Sequence, residues 1–336
     1  MAAIAVARRR GRPQNPQTII PPADVVDTAV LMDLKVNARF IHTQLTTDYE
    51  TTRDWLARHR LLANSVTCQG CQQPMRLTKK AELVLDGEHW RCRDCSMTQS
   101  IRKGSFFEKS HLSLMELLEL IYWWTTDNSQ VAIMLEVECS HTTLIDWFMF
   151  CRDICVEWIF NHSVPIGGVD PVTGAPLTVE IDESLFFKMK HNRGAPRPQK
   201  WILGGVERVS KKCFMVEVDR RDADTLMPII QQWVLPGSRV ITDQWGAYMG
   251  AQGFPANPQY THVSVNHTLH FVDPNDRTIH TNTVEGFWSH SKQKFRKMRG
   301  TCDAHFDSYL AEFMFRYMHV DRATWFGVIL YWITHQ

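Results

Sequence analysis

Hydrophobic and polar positions follow two different patterns along the 336-residue chain. In most of the region before residue 165, apolar residues recur every three or four positions, which predicts amphipathic helices. After residue 176 they form short runs rich in Val and Ile, which predict buried strands. The Pro- and Gly-rich stretch 165–176 lies between the two patterns and predicts a linker or a hairpin loop.

Two helical modules are predicted in the first half of the chain. Residues 24–64 form the first, and residues 111–164 form the second, which opens with a strongly apolar helix. A short helix, a turn capped by Ser140 and a longer helix follow, which is the pattern of a helix-turn-helix. A helical hairpin that only packs against its neighbours fits the same pattern. In a helix-turn-helix, base edges are read from the start of the second helix, which here carries His141, Thr142 and Thr143.

Residues 175–304 predict an α/β domain with a mixed sheet flanked by helices, and residues 305–336 predict C-terminal helices. Three strands in a meander, followed by alternating helices and strands, are the order of an RNase H-like fold. The sequence therefore predicts a multidomain chain with an RNase H-like domain in its second half. The predicted strands span 177–182, 201–207, 213–219, 238–243 and 260–265, and a helix spans 222–234.

Three acidic residues carry the candidate chemistry of this domain. Asp182 and Asp243 each end a predicted strand, and Glu285 lies in a later predicted helix. Taken singly, each acid also fits a turn, a helix cap or a solvated position. Because function gathers at the carboxyl ends of strands in open α/β sheets, the three carboxylates are expected to converge. Carboxylates suit Mg²⁺ or Mn²⁺, and a pair of such ions stabilises the attacking and leaving oxygens of a displacement at phosphorus.

A cysteine pattern predicts a second metal site, within residues 65–110. Two Cys-x-x-Cys pairs each supply two thiolates, and together they complete a tetrahedral Zn²⁺ site. Short predicted strands between the pairs, around the turn at 86–87, make this segment a zinc ribbon. A redox pair or a coincidence is the alternative. An all-cysteine site is closed and structural rather than catalytic. The predicted ligands are Cys68, Cys71, Cys92 and Cys95.

Basic residues are clustered, although the formal net charge is only +1. Residues 1–23 predict a disordered basic arm, and residues 10–13 within it resemble the core of an AT-hook. Two further basic stretches flank the proposed acidic centre, where they suit a phosphate backbone led to metal ions. Solvated faces are the alternative explanation of such runs. These three stretches, together with the start of the helix that contains Glu285, supply the predicted DNA contacts. They are Arg8, Arg9, Arg10, Arg12, Lys188, Lys190, Asn282, Lys292 and Arg296.

The cysteine usage and the N-terminal segment bear on the compartment. Nine cysteines that include a metal pattern, with no secretory signal, predict a reducing interior. No apolar run is long enough to span a bilayer. The Arg-rich arm is expected to bind nucleic acid or to direct nuclear import, so a eukaryotic protein of this kind is expected in the nucleus. An organellar leader is the alternative for the same arm.

The segments around the three acids resemble the Merlin superfamily of eukaryotic cut-and-paste DNA transposases and their bacterial insertion-sequence relatives. The resemblance implies a DDE-type transposase that acts on terminal-inverted-repeat and target DNA, uses divalent metal and works as an oligomer. By position in the motif, Asp182, Asp243 and Glu285 correspond to the catalytic acids of that superfamily. The matching segments are 181–184, 201–208, 242–243 with Tyr248, 265–267, 280–289 and 309–317.

Alternatives to this function and to the third acid follow from the same sequence. One is a domesticated, catalytically silent DNA-binding protein derived from a transposase, and another is a host RNase H-like nuclease. Some bacterial relatives use an Asn in this neighbourhood, which makes Asn282 a rival of Glu285 as metal ligand. Three histidines lie in the predicted loop before the helix that contains Glu285, and they are expected either to contact DNA or to be structural. They are His267, His270 and His280.

A two-fold homodimer is the expected working unit, formed either in free solution or on DNA. Joining two element ends to one target needs two active sites, and one RNase H-like domain provides one. The aromatic-rich helices predicted over 112–124 and 305–334 are the candidate contacts. The alternative is that these aromatic residues only join the modules of a single chain.

Overall fold

The computed structural model describes residues 15–80, 85–186, 199–249, 260–266, 272–298, 301 and 303–335. The chain divides into two units. The first contains the described residues up to Cys151 together with those from Ala323 onward, and the second contains Arg152–Arg322. Within the described ranges, no helix is both long and apolar enough to cross a bilayer.

The helices and strands have the following bounds. The α-helices are α1 (Ala38–Phe40), α2 (Tyr49–Arg58), α3 (Leu114–Thr125), α4 (Gln130–Glu136), α5 (His141–His162), α6 (Ala223–Trp233), α7 (Asn282–Lys297), α8 (Asp303–Met318) and α9 (Trp325–Ile333). The strands are β1 (Arg76–Lys79), β2 (Glu88–Arg91), β3 (Thr98–Ser100), β4 (Ile166–Gly167), β5 (Thr178–Phe186), β6 (Lys200–Glu207), β7 (Cys213–Val218), β8 (Val234–Leu235), β9 (Ser238–Asp243) and β10 (Tyr260–Val265). Short 3-10 helices lie at Pro22–Asp24, Thr28–Asp33, Gly246–Tyr248 and Arg322–Thr324, and a π-helical turn lies at Ile41–Leu45.

The first unit is built around the apolar helices α3 and α9. A capping box starts α3, because the Ser113 hydroxyl accepts from the Glu116 N–H and the Glu116 carboxylate accepts from the Ser113 N–H. Helix α9 packs against the turn Thr28–Asp33 so closely that a Cβ on Gly327 would lie 2.1 Å from the Leu31 carbonyl oxygen. The predicted C-terminal helices therefore separate, since α8 belongs to the second unit and α9 to the first.

The predicted disorder of the N-terminal arm does not extend over residues 15–23. Ile20 is buried, and its N–H donates to Asn64 Oδ1 at 2.8 Å. The Leu77 N–H donates to the Pro16 carbonyl at 2.8 Å. Composition alone missed this packing, because β1 is an edge strand whose free side supplies hydrogen bonds that a polar segment satisfies.

Helices α4 and α5 are the short and the longer helix that the sequence predicts as a helix-turn-helix. Ser129 caps α4, because its hydroxyl accepts from the Ala132 N–H at 3.2 Å. Ser140 caps α5 in the same way, through the Thr143 N–H at 3.1 Å. His141 and Thr142 are exposed on the first turn of α5, and Thr143 is half-buried. These three side chains therefore lie at the start of the second helix, as predicted.

The second unit contains a five-stranded mixed sheet in the order β10-β9-β5-β6-β7. Strands β5, β6 and β7 form an antiparallel meander, and β9 and β10 run parallel to β5. The predicted strands and the helix α6 between β7 and β9 are confirmed. Two buried clusters cover the two faces of this sheet, one containing residues of α6 and the other containing residues of α7 and α8.

The aromatic side chains that were candidates for a dimer contact are largely used inside their own units. Trp124 and Trp325 are buried in the first unit, and Phe315 is buried in the second. Phe313 packs its ring 5.0 Å from that of Phe287. The structure thus supports the alternative explanation of these aromatic residues, that they join elements of a single chain.

Helix α7 lies directly on the sheet because Gly204 of β6 has no side chain. A Cβ at Gly204 would be 2.5 Å from Cη2 of Trp288, which is buried in the cluster between α7 and the sheet. Gly204 pairs with Asp182 of β5. The absence of a side chain at this position therefore fixes the height of α7 above the strand that carries the first candidate acid.

Gly204→Ala should lower the free energy of unfolding by about 1–3 kcal/mol, because a rigidly held indole ring occupies the space of the new methyl group. The matched control is Gly286→Ala in α7, where nothing lies within 4 Å of an added Cβ. That control should be neutral or stabilising by up to about 1 kcal/mol, since Ala favours helices. Urea unfolding followed by tryptophan fluorescence measures both. Coinciding midpoints for Gly204→Ala and wild type would contradict the tight contact.

Candidate acidic active site and cysteine metal cluster

Asp182 and Asp243 lie at the same level on neighbouring parallel strands. Strands β5 and β9 pair over residues 178–180 and 239–241. Continuing this register by two residues places Asp182 beside Asp243. The register thus brings two acids that are 61 positions apart in sequence onto one line across the sheet.

Both aspartates belong to the face of the sheet that α7 covers. Val179, Ile181 and Val240 lie in the buried cluster on the α6 side. Since side chains alternate between the two faces of a strand, Asp182 and Asp243 project to the opposite side. Helix α7 packs against β5 and β6 on that side, and it carries the third candidate acid.

The prediction that Asp182 ends its strand is wrong. Strand β5 continues to Phe186, because it stays paired with β6 along its whole length. The polar pair Glu183 and Ser184 suggested a strand end, but both side chains are buried. What ends near Asp182 is the other neighbour, since β9 stops at Asp243. Strand β10 ends at the same level, since its last residue, Val265, pairs with Asp243. The two aspartates therefore lie where both β9 and β10 end and β5 continues, and this edge opens the site.

Glu285 is exposed on the first turn of α7. Its N–H donates to the Thr281 carbonyl at 3.0 Å, and the Thr281 hydroxyl donates to its Oε1 at 2.9 Å. Burial raises the pKa of Asp182 to about 7, and the negative charges of Glu183, Asp243 and Glu285 act in the same direction. Burial and the neighbouring negative charges therefore both disfavour the ionised form of Asp182, and a bound cation would offset that effect.

A buried ion pair, which sequence reasoning missed, anchors the start of α7 to the sheet. The Glu180 carboxylate is fully buried, and it accepts from Arg208 Nε at 2.5 Å and from the Val284 N–H at 2.9 Å. Arg208 also donates to the carbonyl oxygens of Thr278 and His280, each at 2.7 Å. The residue before Glu285 is thus bonded directly to a side chain two positions before Asp182. The signal was an acid, Glu180, between the apolar residues Val179 and Ile181 of a predicted buried strand.

His280 belongs to this anchor. Its Nδ1 lies 3.1 Å from Arg208 Nη2 and 3.6 Å from the Glu180 carboxylate. Burial lowers the pKa of His280, and the Arg208 charge acts in the same direction. The structure therefore gives His280 a structural contact, which was one of the two roles expected for it.

A second buried network, also missed from the sequence, lies on the opposite face of β5. The Tyr248 hydroxyl donates to Glu183 Oε1 at 2.6 Å, and Arg221 Nη2 lies 3.5 Å from Glu183 Oε2. Burial raises the pKa of Glu183. The turn that follows Asp243 is therefore tied to β5, since Tyr248 belongs to that turn.

Three predicted DNA-contacting residues lie on α7 with Glu285. Asn282 is the first residue of α7, and Arg296 lies in its last turn. Both side chains are exposed. Lys292 is half-buried, with Nζ 5.5 Å from the centre of the Phe186 ring. Burial lowers the pKa of Lys292 and the nearby Asp182 acts in the opposite direction. The remaining predicted contacts and loop histidines lie outside the described residues, and they are Arg8, Arg9, Arg10, Arg12, Lys188, Lys190, His267 and His270.

The four predicted zinc ligands come together in the first unit. Their sulfur atoms all lie within 4.8 Å of one another, and neighbouring pairs are 3.3–3.7 Å apart. A tetrahedral Zn²⁺ with bonds of about 2.3 Å holds its sulfurs about 3.8 Å apart. The donor set therefore fits one Zn²⁺. Within the part of the chain that the structure describes, it is also the only group of three or more metal-binding side chains this close together. The ligands are Cys68, Cys71, Cys92 and Cys95.

The two cysteine pairs have the same local geometry. Backbone N–H groups point at one sulfur of each pair, and they lower the pKa of Cys68 and bring that of Cys92 to about 7. Gln72 and Ser96, each directly after the second cysteine of a pair, have a backbone φ of 59°. Strands β1, β2 and β3 form an antiparallel sheet beside the cluster. This arrangement is the one predicted for a zinc ribbon.

Purified protein should contain one Zn²⁺ per chain, and Cys92→Ser should lose it together with the fold of the ribbon. Binding of structural zinc contributes on the order of 10 kcal/mol to the folding of small zinc modules, so the ribbon should not survive without it. Elemental analysis and limited proteolysis measure the two effects. Cys139→Ser, outside the cluster, is the control that should keep its zinc. Metal-replete protein with no zinc would refute the site.

Asp182→Asn should stabilise the metal-free protein at pH 8, by on the order of 1 kcal/mol or more. The folded-state pKa of Asp182 is raised from 3.8 to about 7, so ionisation costs folding free energy as the pH rises through that interval. The gain should therefore be absent below pH 4 and complete above pH 7. Urea unfolding across this range in the presence of a chelator measures it. Stability curves that stay parallel from pH 4 to 8 would contradict the repulsion among the acids.

Comparison with known proteins places the acidic centre in a family. The model of the ISXO2-like transposase domain matches residues 171–318, which contain all three acids. An uncharacterised transposase-like protein of Haemophilus influenzae is 31% identical over 106 residues, covering 32% of this chain and 80% of that protein. Male abnormal protein mab-31 of Caenorhabditis elegans is 24% identical over 270 residues, covering 74% of this chain and 61% of its own length.

Among solved structures, the cryo-EM structure of a simian T-cell lymphotropic virus intasome in complex with the PP2A regulatory subunit B56 gamma is similar at 13% identity. The match covers 60% of this chain and 67% of that one, with a TM-score of 0.28. A likeness this weak carries no statement about the present chain. The sequence matches decide the family, because the Haemophilus relative is covered over four fifths of its length at more than 30% identity. The chain belongs to the ISXO2-like family of DDE transposases.

Proposed function

We propose that this protein is a cut-and-paste DNA transposase of the Merlin type, with an RNase H-like catalytic domain. In this proposal it binds terminal inverted repeats, cleaves the element ends and joins them to target DNA. The observation that carries the proposal is the level placement of Asp182 and Asp243 on parallel strands, beneath the helix that bears Glu285. Family membership supports the same chemistry.

The three carboxylates suit a pair of Mg²⁺ or Mn²⁺ ions. When bound, such ions stabilise the attacking and leaving oxygens of an in-line displacement at phosphorus. Asp182 and Asp243 would supply hard oxygen ligands from a rigid sheet, and Glu285 would supply its carboxylate from α7. The raised pKa of Asp182 supports this assignment, because burial and the neighbouring negative charges disfavour its ionised form unless a cation is bound.

The cations on α7 would hold the substrate. Lys292 follows Glu285 by two helical turns, so it lies on the same face of α7 and would contact a phosphate beside the acids. Asn282 and Arg296 extend this contact line along the exposed side of the helix. In the first unit, the start of α5 and the ribbon would contribute DNA recognition, with His141, Thr142 and Thr143 nearest the bases.

Assembly and location belong to the same proposal. Two element ends need two catalytic domains, so we propose a homodimer. It forms either in free solution or when the protein binds DNA. The burial of Trp124, Phe315 and Trp325 argues that the contact uses other surfaces than these aromatic residues. In a eukaryotic cell the working place would be the nucleus, where the substrate is.

Asp243→Asn should reduce cleavage of end-repeat DNA by at least about a hundredfold, because the loss of one metal ligand costs several kcal/mol of transition-state stabilisation. The assay is incubation of the full chain with labelled duplex carrying the terminal repeats and Mg²⁺ or Mn²⁺. Glu285→Gln and Asn282→Ala, compared side by side, decide which of the two completes the site, and we expect Glu285, whose negative charge acts on Asp182. Glu157→Gln, an exposed acid on α5, is the control that should cleave normally.

The possible outcomes separate the candidate functions. Undiminished cleavage by Asp243→Asn would exclude the proposed centre. Specific binding of end repeats without cleavage under either metal would identify a catalytically silent DNA-binding protein. Cleavage without preference for end repeats would instead identify a general nuclease of this fold.

A further inference from the structure

Trp245 is an exposed aromatic residue beside the acidic centre. It follows Asp243 by two positions, and its backbone N–H donates to Asp243 Oδ1 at 2.9 Å. Its side chain is 42% exposed. The ring therefore presents apolar surface to solvent in the turn that directly follows the second candidate acid.

One face of the Trp245 ring is already covered. The guanidinium carbon of Arg221 lies 4.4 Å from its ring centre and 4.1 Å from that of Trp201, so the cation is held between two indole rings. The indole N–H of Trp245 donates to the Arg221 carbonyl at 3.1 Å. These contacts fix both the position and the tilt of the ring.

The support beneath Arg221 is itself buried. Arg221 Nη2 lies 3.5 Å from Glu183 Oε2, and the Tyr248 hydroxyl donates to the other oxygen of the same carboxylate at 2.6 Å. The side chain of Glu183 is fully buried. The ring of Trp245 is therefore backed by a cation, and that cation rests on a rigid acid–phenol pair within the sheet.

With Arg221 over one face of the Trp245 ring, its other face and its edges supply the exposed area. None of the aromatic rings in the described residues packs against that face. The result is a flat, pre-positioned aromatic surface next to Asp243, which is a proposed metal ligand.

We propose that the free face of Trp245 is a stacking subsite for an unpaired nucleobase at the DNA end being processed. The inference rests on the proposed function, and it names a substrate feature that the three acids do not recognise. Bases stack on aromatic side chains irrespective of their identity. A base in the interior of a duplex is covered by its neighbours on both faces, so it must be flipped or frayed before it can present a face to Trp245.

The test uses the full chain with two probes, a blunt 20-base-pair duplex and the same duplex with a three-nucleotide single-stranded 3′ overhang. Trp245→Ala should weaken binding of the overhang probe about tenfold, as the loss of one stacked base predicts. Binding of the blunt probe should be unchanged. Trp245→Phe, which keeps a ring over Arg221, should retain most of the preference, whereas Trp245→Leu, which keeps only apolar bulk, should lose it. Phe160→Ala removes an aromatic side chain that is 86% exposed on α5 and should change neither probe.

A further probe removes the bases and keeps the backbone. On an abasic overhang, wild type and Trp245→Ala should bind equally. Equal weakening on blunt, overhang and abasic probes, or no weakening on any, would overturn the stacking subsite. Trp245 would then serve only to cover Arg221 or to meet a protein partner. If wild type binds none of the probes, the proposed function fails; if it binds and cuts DNA without dependence on Trp245, only the stacking inference fails.

Discussion

The geometry of the acidic centre depends on the buried pair of Glu180 and Arg208. Two of the candidate acids are fixed by strand register, but the third lies on a helix whose N-terminus would be free without a tether. Glu180 binds the backbone of that helix at Val284, and Arg208 binds the carbonyl groups of the loop before it. Removing one partner of a buried pair leaves an uncompensated charge, which costs about 3–5 kcal/mol. Moving α7 away from the sheet would break this buried pair, so the pair fixes the position of α7 on the sheet.

The tether and the glycine contact act at different heights along the helix. Glu180 holds the first turn of α7, and the Trp288 ring rests on Gly204 one turn later. Together they define both the distance and the direction of Glu285 from the strand of Asp182. A carboxylate exposed to solvent can thus be placed accurately, because Val284 before it and Trp288 one turn after Val284 are buried.

Much of this architecture could be predicted from the sequence, because hydrophobic periodicity and the cysteine spacing are local signals. The five strands of the sheet, α6 and the cysteine cluster follow from such signals. The extent of β5 could not be predicted, because Glu183 and Ser184 are polar residues buried by partners distant in sequence, such as Tyr248. The Glu180–Arg208 pair escaped notice for the same reason, since its members are 28 residues apart and no local pattern links them. The packed segment 15–23 depends on a strand edge that composition does not reveal.

The division of the chain has a consequence for the order of synthesis. Helix α9 completes the unit that contains the cysteine cluster, yet it is made after the whole of the acidic unit. During translation, the segment Thr28–Asp33 is made long before α9, the helix that packs against it. Leu31 therefore lacks its contact with Gly327 until α9 has been synthesised. Domains generally fold as units while the ribosome advances. The unit with the acidic centre can therefore reach its fold first, and the unit with the cysteine cluster is completed last. A chain that stops before α9 would retain the acidic centre and lack a completed first unit.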